Sequence, residues 1–573
     1  MKRLLLMLIL LPLAVGLLAQ DLRSWEDEFG RLGQWEDAGS ASWEQTYDEL
    51  SDLHANKLDL NRCTREDLER LPFLTDQQIM DFMAYRDRAR RIETLVELRM
   101  IPSLEARDAE LLAQFAAIYP EVPADTVPSL ARLLRYGRHE VVGMFRYPFY
   151  ERRGDNDGYL GYPYKHWLRY NFTAGRRVKA GVVASQDAGE PFFAGKNGAG
   201  YDFYSFYLLM RDLGRVKALA LGRYRLRFGM GLVVNNSFGL GKLNTLSMLG
   251  RSSSNVYAHS SRSEGNYLQG ATATVRLLPT VDLTAFASWR RVDATLNDDS
   301  TTVATLLRSG YHRTPSEMRR RRNTSQTLAG GHVGWAANGW RVGMTGYYTA
   351  FSRDLRPDLS QAYRHWYPQG RGFWNVGIDY SYLSHRLTVS GETATGTRGS
   401  VATINSLSYR LTGSLSLMAP QRYYPSQYQP PPCEPCPEGG SAHNESGIFV
   451  GADWAPVRHL SVMAYTDFAY FAWPRYGVSQ SSHCSDNFVQ VTWQRGRWDL
   501  LARYRFKARE RDNDDHTALV TEHLHRGRLA VGYDGGHWRS KTQIDLSHSR
   551  LEATGTGDMA TQSLSRQHRR LRL

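Results

Sequence analysis

The chain has 573 residues, a formal charge of +13, 12% aromatic residues, 50 glycines and four cysteines, with a mean hydropathy of −0.47. Four cysteines are too few for a disulfide-built scaffold. After the first 20 residues no run of 18 apolar residues occurs, so any membrane insertion must be by strands.

Lys2 and Arg3 precede an apolar run from Leu4 to Leu18 that turns polar at Gln20 and Asp21. This order of charged, apolar and small-to-polar segments marks residues 1–20 as a removed signal peptide and implies export. Residues 21–55 hold ten acidic and two basic side chains, net −8, and are read as an acidic helical segment. Ser42 with Gln45 three residues on is a capping-box spacing ahead of Trp43, Tyr47 and Leu50, so a helix is expected to start there. Residues 56–120 carry net −2, and 121–573 carry +21. Leu68 and Leu71, then Ile79, Phe82 and Met83, then Leu95 and Leu98, then Leu111, Leu112 and Phe115 follow helical spacing and predict a bundle of short helices.

The run LNRCTREDLERLP, followed by QQIMDFMAYRD and IETLVELRMI, resembles the competence-type helix-hairpin-helix family over residues 56–118. Asn61, Thr64, Asp67, Leu68, Leu71, Pro72, Tyr85 and Arg86 carry the resemblance, which implies a DNA-binding fold whose hairpin grips phosphate. That grip ordinarily uses glycines that let backbone N–H groups approach the anion. Here the first hairpin is Phe73-Leu74-Thr75 and the second is Pro102-Ser103-Leu104, where proline has no N–H to give. The cationic run Arg86, Arg88, Arg90 and Arg91 is the remaining nucleic-acid feature, and the same arginines also suit a helix C-terminus. The domain is therefore expected to serve as a docking module for a periplasmic protein, with DNA contact through the hairpin and these arginines as the other reading.

After a linker at 121–138 the pattern changes, from residue 139 to 573, to alternation with period two. RVGMTGYYTAF sets Val342, Met344, Tyr348 and Ala350 on one face and Thr345, Tyr347 and Thr349 on the other. Tight joins at 173–177, 211–215, 277–282, 336–340, 383–386, 455–459, 494–498 and 534–537 alternate with mostly longer ones. The longer set is 150–164, 229–265, 297–325, 353–372, 425–445 and 474–485. Short turns at one end and long loops at the other are the outer-membrane arrangement. The expected fold is thus an α+β multidomain chain, a small helical bundle followed by a large antiparallel transmembrane β-barrel of about 20 strands. A soluble sandwich or propeller is the competing architecture. The closing SLSRQHRRLRL is basic and ends on Leu573 where an aromatic residue is usual, so the last strand is either atypical or miscounted.

This topology assigns Cys433, Cys436 and Cys484 to adjacent external loops, where a disulfide between the loops or within the CxxC is expected, and Cys63 to the bundle. Alternation turns Lys217, Arg223, Arg225 and Arg227, and Arg503, Arg505, Lys507 and Arg509, toward the lumen as two cationic ladders. Such ladders either favour anions or pair with lumen carboxylates such as Asp282 and Asp545 or with an inserted plug. The loop 229–265 is long enough to fold into the pore, and the acidic N-terminal segment is a candidate to dock against the basic mouth. No G-x-S-x-G, H-E-x-x-H, P-loop or nucleotide-binding glycine fingerprint occurs, so neither an enzyme nor a cofactor is expected. His312, His365 and His483 fall in loops and read as solvated. The sequence-level expectation is an outer-membrane barrel with its N-terminal domain in the periplasm, outer-membrane lipid around it, and an anionic polymer, DNA among the candidates, or an export client as cargo. A non-conducting assembly or adhesion platform, and DNA binding by the N-terminal domain alone, are the alternatives.

Overall fold

A computed structural model describes residues 40–104, 106–119, 137–156, 158–175, 177–236, 241–429, 442–536, 538–551, 553–568 and 571–572, with Trp25, Glu26, Phe29 and Arg135 besides. The signal peptide, most of residues 21–39 and of the linker, Cys433 and Cys436 lie outside the described residues. The chain divides into two compact units, one of Phe29–Ser408 with Pro420–Ser446, the other of Met1–Glu28, Tyr409–Ala419 and Gly447–Leu573.

In the first unit the helical region comes first: α1 (Ser40–Ala55), α2 (Arg65–Leu68), α3 (Asp76–Ala89), a 3-10 turn at Leu95–Met100 and α4 (Ala106–Phe115). Helix α1 begins two residues before the expected capping serine. Thr64 caps α2 by accepting from Asp67 N while Thr64 N donates to Asp67 Oδ2 at 3.1 Å, and Thr75 with Gln78 repeats the device at α3. Of the residues predicted by helical spacing, Leu68, Leu71, Ile79, Phe82, Leu98, Leu111, Leu112 and Phe115 are buried and Met83 and Leu95 half-buried, while Leu60 and Ile92 join the core from outside the helices. Asn61 fixes the bundle's fold-back, since Nδ2 donates to Ile92 O at 3.0 Å and Oδ1 accepts from Ile92 N at 2.8 Å. A short parallel pair, β1 (Leu58–Asp59) with β2 (Ala116–Ala117), ties its ends.

Strands β3 (Arg138–Arg146) to β25 (Leu571–Arg572) then follow one another in sequence order, nearly all as antiparallel neighbours, in a closed barrel. Among the described residues, β8 (Asn255–Ala258), β11 (Val303–Leu307) and β25 are short; the other twenty are nine residues or longer. Each of the eight tight joins expected from the sequence separates two paired or consecutive strands, from Ala174/Val178 to Asp534/Trp538, and a ninth falls between Thr412 and Leu415. The closing basic segment forms β24 (Thr554–His568) and, two residues on, β25, with Gln567 opposite Arg572.

Alternation sorts the faces as expected where the wall is regular. On β13 (Trp340–Leu355), Met344 and Tyr348 are 55% and 57% exposed while Thr345, Tyr347 and Thr349 are buried. In the second unit, Leu500 and Tyr504 of β21 (Trp498–Asp512) face out and Arg505 is buried. The pattern fails on β7 (Val216–Arg227). Tyr224, Leu226 and Phe228 are fully buried instead of facing outward. The reason is local: the register slips between Val216 and Ala218, Gly222 has φ +84, and beyond it β7 pairs with β8 as well as β9 (Leu268–Leu278). The slip and the glycine re-aim the side chains of that end, and residues 232–234 pack with Tyr224, Leu226 and Phe228 in one core, so alternation there no longer reports inside from outside. Cys484 lies buried in β20 (Ser482–Arg495) opposite Ala469, not in a loop, because the ladder with β19 (Leu460–Phe471) runs as far as the Phe471–Ser482 pair.

Candidate functional site

The first unit brings the N-terminal helices and the strands β4 (Lys165–Ala174) to β13 together through charge. Glu49 pairs with Arg225, and Asp52 with Lys179. Glu66 lies 2.8 Å from Lys217, whose ammonium is also 2.8 Å from Asp282. Glu69 lies 3.0 Å from Arg341. Polar contacts extend the seat, with Arg138 Nη1 donating to Ala55 O at 2.7 Å and Thr173 Oγ1 donating to Asn56 Oδ1 at 3.4 Å. Burial alone would raise the Glu66 carboxyl, but the charge and hydrogen bond of Lys217 outweigh it and bring the group down to about 2. The same contest, with Lys179 prevailing over burial, depresses Asp52.

The connection between β7 and β8 forms the other half of this seat. Leu232 N and Val233 N donate to the two oxygens of Glu392 at 2.9 and 2.8 Å, and Tyr428 Oη donates to Leu232 O. Leu232, Val233 and Val234 join Tyr224, Leu226 and Phe228 in one buried core. Gly229 has φ +59, and a Cβ there would meet Asp379 Cβ at 2.6 Å, so only glycine allows the chain this close to the wall. Further along, Arg251 is buried among helix carbonyls: Nη1 donates to Leu71 O at 3.2 Å and Leu74 O at 2.7 Å, and Nη2 to Glu69 O at 2.6 Å. Asn255 Nδ2 adds a bond to Glu66 O at 2.9 Å, and Arg341 Nη2 one to Ser252 O at 3.0 Å.

These contacts decide how the predicted nucleic-acid residues are placed. Leu74 and Thr75 are buried, and Phe73 is half-buried with its ring 5.6 Å from Phe115. The hairpin offers carbonyl oxygens to a guanidinium, the opposite polarity to a phosphate grip. Thr75 is occupied as the α3 cap. Arg86 is spent on Cys63 O at 2.6 Å and Arg91 lies 3.5 Å from Glu93, while Arg88 and Arg90 are exposed.

Of the ladder residues, Lys217 and Arg225 hold the carboxylates named above, the first including Asp282. Arg223 stacks over Phe203 and Tyr267 at 4.4 and 4.2 Å, and Arg227 donates to Arg251 O at 3.4 Å. In the second unit Arg505 grips both oxygens of buried Asp486 at 2.8 and 2.7 Å, Arg503 donates to Gln490, and Arg509 lies 2.5 Å from Glu522. Lys507 is half-buried, and Asp545 pairs with Arg528. Four of the eight, Lys217, Arg225, Arg505 and Arg509, are thus paired with the protein's own carboxylates.

His312 departs most from its expected place. It is 1% exposed, with Nδ1 2.6 Å from Asp202 Oδ2 and Nε2 2.8 Å from Asp293 Oδ2, and its backbone N donates to Glu190 Oε1 at 2.9 Å. Burial opposes its charge, yet the two carboxylates raise the imidazole to about 10 and hold it protonated. Glu190, buried beside Asp202, is pushed up to about 8. Glu190, Asp202 and His312 together offer metal-type ligand atoms within 4.8 Å of one another, but both imidazole nitrogens are already engaged by carboxylates, so the group bolts the connection that carries Glu190 and Asp202 to the one that carries His312. His312 is 110 and 122 residues from Asp202 and Glu190 in sequence, so no local motif announces the group.

No family profile matches this chain, and no curated protein does. Among solved structures it is similar to the siderophore receptor PirA from Acinetobacter baumannii, with 8% identity, a TM-score of 0.39, and 75% of this chain and 73% of that one covered. It is also similar to Wzi of Escherichia coli, described as an outer-membrane, carbohydrate-binding β-barrel involved in group 1 capsule assembly, with 8% identity, a TM-score of 0.30, and 86% and 91% covered. A third similarity is to OccK7 (OpdD) of Pseudomonas aeruginosa, with 11% identity, a TM-score of 0.28, and 75% and 95% covered.

Proposed function

We propose that this chain is an outer-membrane β-barrel with a periplasmic helical domain, and that it handles passage of an anionic polymer or an export client. In this reading its N-terminal helices act as an intrinsic plug. The observation that carries it is the set of four ion pairs, Glu49–Arg225, Asp52–Lys179, Glu66–Lys217 and Glu69–Arg341, that seats the acidic helices on basic residues of the wall. Membrane insertion is supported by the closed antiparallel strand order and by exposed aromatics near both ends of the strands. Trp335, Trp340, Trp454 and Trp538 lie near the short turns, and Trp374, Phe468 and Tyr470 toward the long connections.

The side chains of these pairs are only 1% to 28% exposed, so the seat holds the domain firmly, and a competing charged cargo or partner would have to replace the pairs to displace it. DNA is one anionic polymer of this class, and contact through the first hairpin would require the Arg251 bonds to break first. Permeability tests the proposal: in a Gram-negative host, the Glu49→Lys/Asp52→Lys/Glu66→Lys variant is expected to admit a large antibiotic such as vancomycin that the wild type excludes. Equal sensitivity of two equally inserted proteins contradicts it.

A second reading, a non-conducting assembly or adhesion platform, is favoured by the 228–234 segment. Its core of Leu232, Val233 and Val234 and its two bonds to Glu392 fix that segment to the wall by apolar burial as well as by hydrogen bonds.

A further inference from the structure

Within the first unit, at the end of the strands away from the short turns, lies a cavity of about 380 Å³. It is bounded by the outer ends of β10 (Val281–Leu296), β11, β13 and β14 (Gly370–Leu383) and by the connections that follow them. Phe351, Phe373, Trp366 and Tyr367 turn half-buried rings toward it, with Phe351 and Phe373 edge to face at 6.2 Å.

Two further side chains complete the wall chemically. The Glu264 carboxyl and the Arg308 guanidinium line the cavity and, like the Tyr367 hydroxyl, have no hydrogen-bond partner among the described residues. The neighbouring Arg290 shows the contrast, since its guanidinium is consumed by Gly265 O, Tyr267 O and Gln326 Oε1 at 2.8 to 3.0 Å. Arginine and phenol are donors, and the Glu264 carboxyl, pushed well above its usual range by burial and then by the nearby Asp202 and Glu190, is a third polar head that a hydroxyl can meet. Three polar heads on three separate connections therefore face a space walled by aromatic rings.

From this arrangement we infer that the cavity binds one or two sugar rings bearing a carboxylate. The flat C–H faces of a pyranose suit the rings, its spread hydroxyl oxygens suit Glu264 and Tyr367, and the carboxylate suits the planar fork of Arg308. An aromatic acid would match the walls but offers acceptors at one point only, leaving two of the three heads unanswered. The volume lies at the small end of the range for ligand sites, about 300–1,000 Å³, which admits a unit of one or two rings. This inference does not depend on whether the N-terminal helices move.

Titration calorimetry on the full-length protein in detergent tests it, with digalacturonate as probe and maltose and benzoate as comparisons. Saturable digalacturonate binding is expected, with both comparisons weaker by about tenfold or more. Arg308 is exposed and its side chain makes no bond among the described residues, so Arg308→Ala leaves the fold intact and is expected to weaken digalacturonate by about tenfold. Tyr367→Phe, which removes only the hydroxyl, is expected to weaken it by a few-fold. Absence of saturable digalacturonate binding, equal binding of maltose or benzoate, or unchanged binding by Arg308→Ala overturns the inference.

Discussion

Arg251 holds the carbonyl oxygen of Leu74 at 2.7 Å, a bond from the β7–β8 connection into the hairpin of the helical domain. With the bonds to Leu71 and Glu69, one guanidinium satisfies three buried carbonyls. Arg251→Ala removes all three donors together, and a single bond to a charged group is worth about 1.5–3 kcal/mol. Hydrogen exchange over residues 65–80 is expected to accelerate by at least tenfold in this variant, with the strands unaffected. Arg251→Lys, which cannot reach three carbonyls in one plane, is expected to fall between. Unchanged exchange would show that the helices are held elsewhere.

Acid is expected to loosen the seat of the helices. Glu66 titrates at about 2 in the folded chain against an ordinary 4.5, and Asp52 is also depressed. Depressed carboxyls add stability that is fully present above the unfolded value and is lost as pH falls through the folded one. Protease accessibility of the helical domain is therefore expected to stay constant from pH 7 to about 5 and rise between about 4.5 and 2. Glu66→Gln is expected to show part of that accessibility already at pH 7.

His312 gives the opposite sign. Its folded value is raised to about 10, so its contribution is complete below the ordinary value of 6.5 and disappears as pH rises through about 10. His312→Ala leaves Asp202 and Asp293 without their shared cation, a loss of about 3–5 kcal/mol for a broken buried pair. The midpoint of heat-induced unfolding on a gel is expected to drop in this variant, and in the wild type to drop only above about pH 9.

Asp486 and Arg505 form a buried bidentate pair in the second unit. Asp486→Ala strands a guanidinium and is expected to cost about 3–5 kcal/mol, whereas Asp486→Leu with Arg505→Met is expected to recover most of it. The same gel midpoint distinguishes the two.

How much of this was legible in the sequence follows from how local each signal is. The eight tight joins and the faces of β13 and β21 are carried by neighbouring residues, and they were readable from period and turn composition alone. The bundle's core from Leu68 to Phe115 was readable for the same reason. On β7 the alternation misled, because the register slips and the connection that follows it packs Leu232, Val233 and Val234 against Tyr224, Leu226 and Phe228. Partners separated by a long stretch of chain were not legible: Glu66 with Lys217, Arg251 with Leu74, and His312 with Asp202 are joined only by topology. The ladders were visible as charge, and Asp282 was a candidate partner, but the pairing of Arg225 with Glu49, Arg505 with Asp486 and Arg509 with Glu522 is set by topology.

Single-channel conductance in planar bilayers tests the central claim, that the acidic helices close the barrel by pairing with its wall. Wild-type protein is expected to conduct little, and because the pairs are largely buried, added salt is expected to change this only slightly. The Glu49→Lys/Asp52→Lys/Glu66→Lys variant is expected to conduct several-fold more at every salt concentration. A variant that inserts normally yet conducts no differently from the wild type would contradict the account.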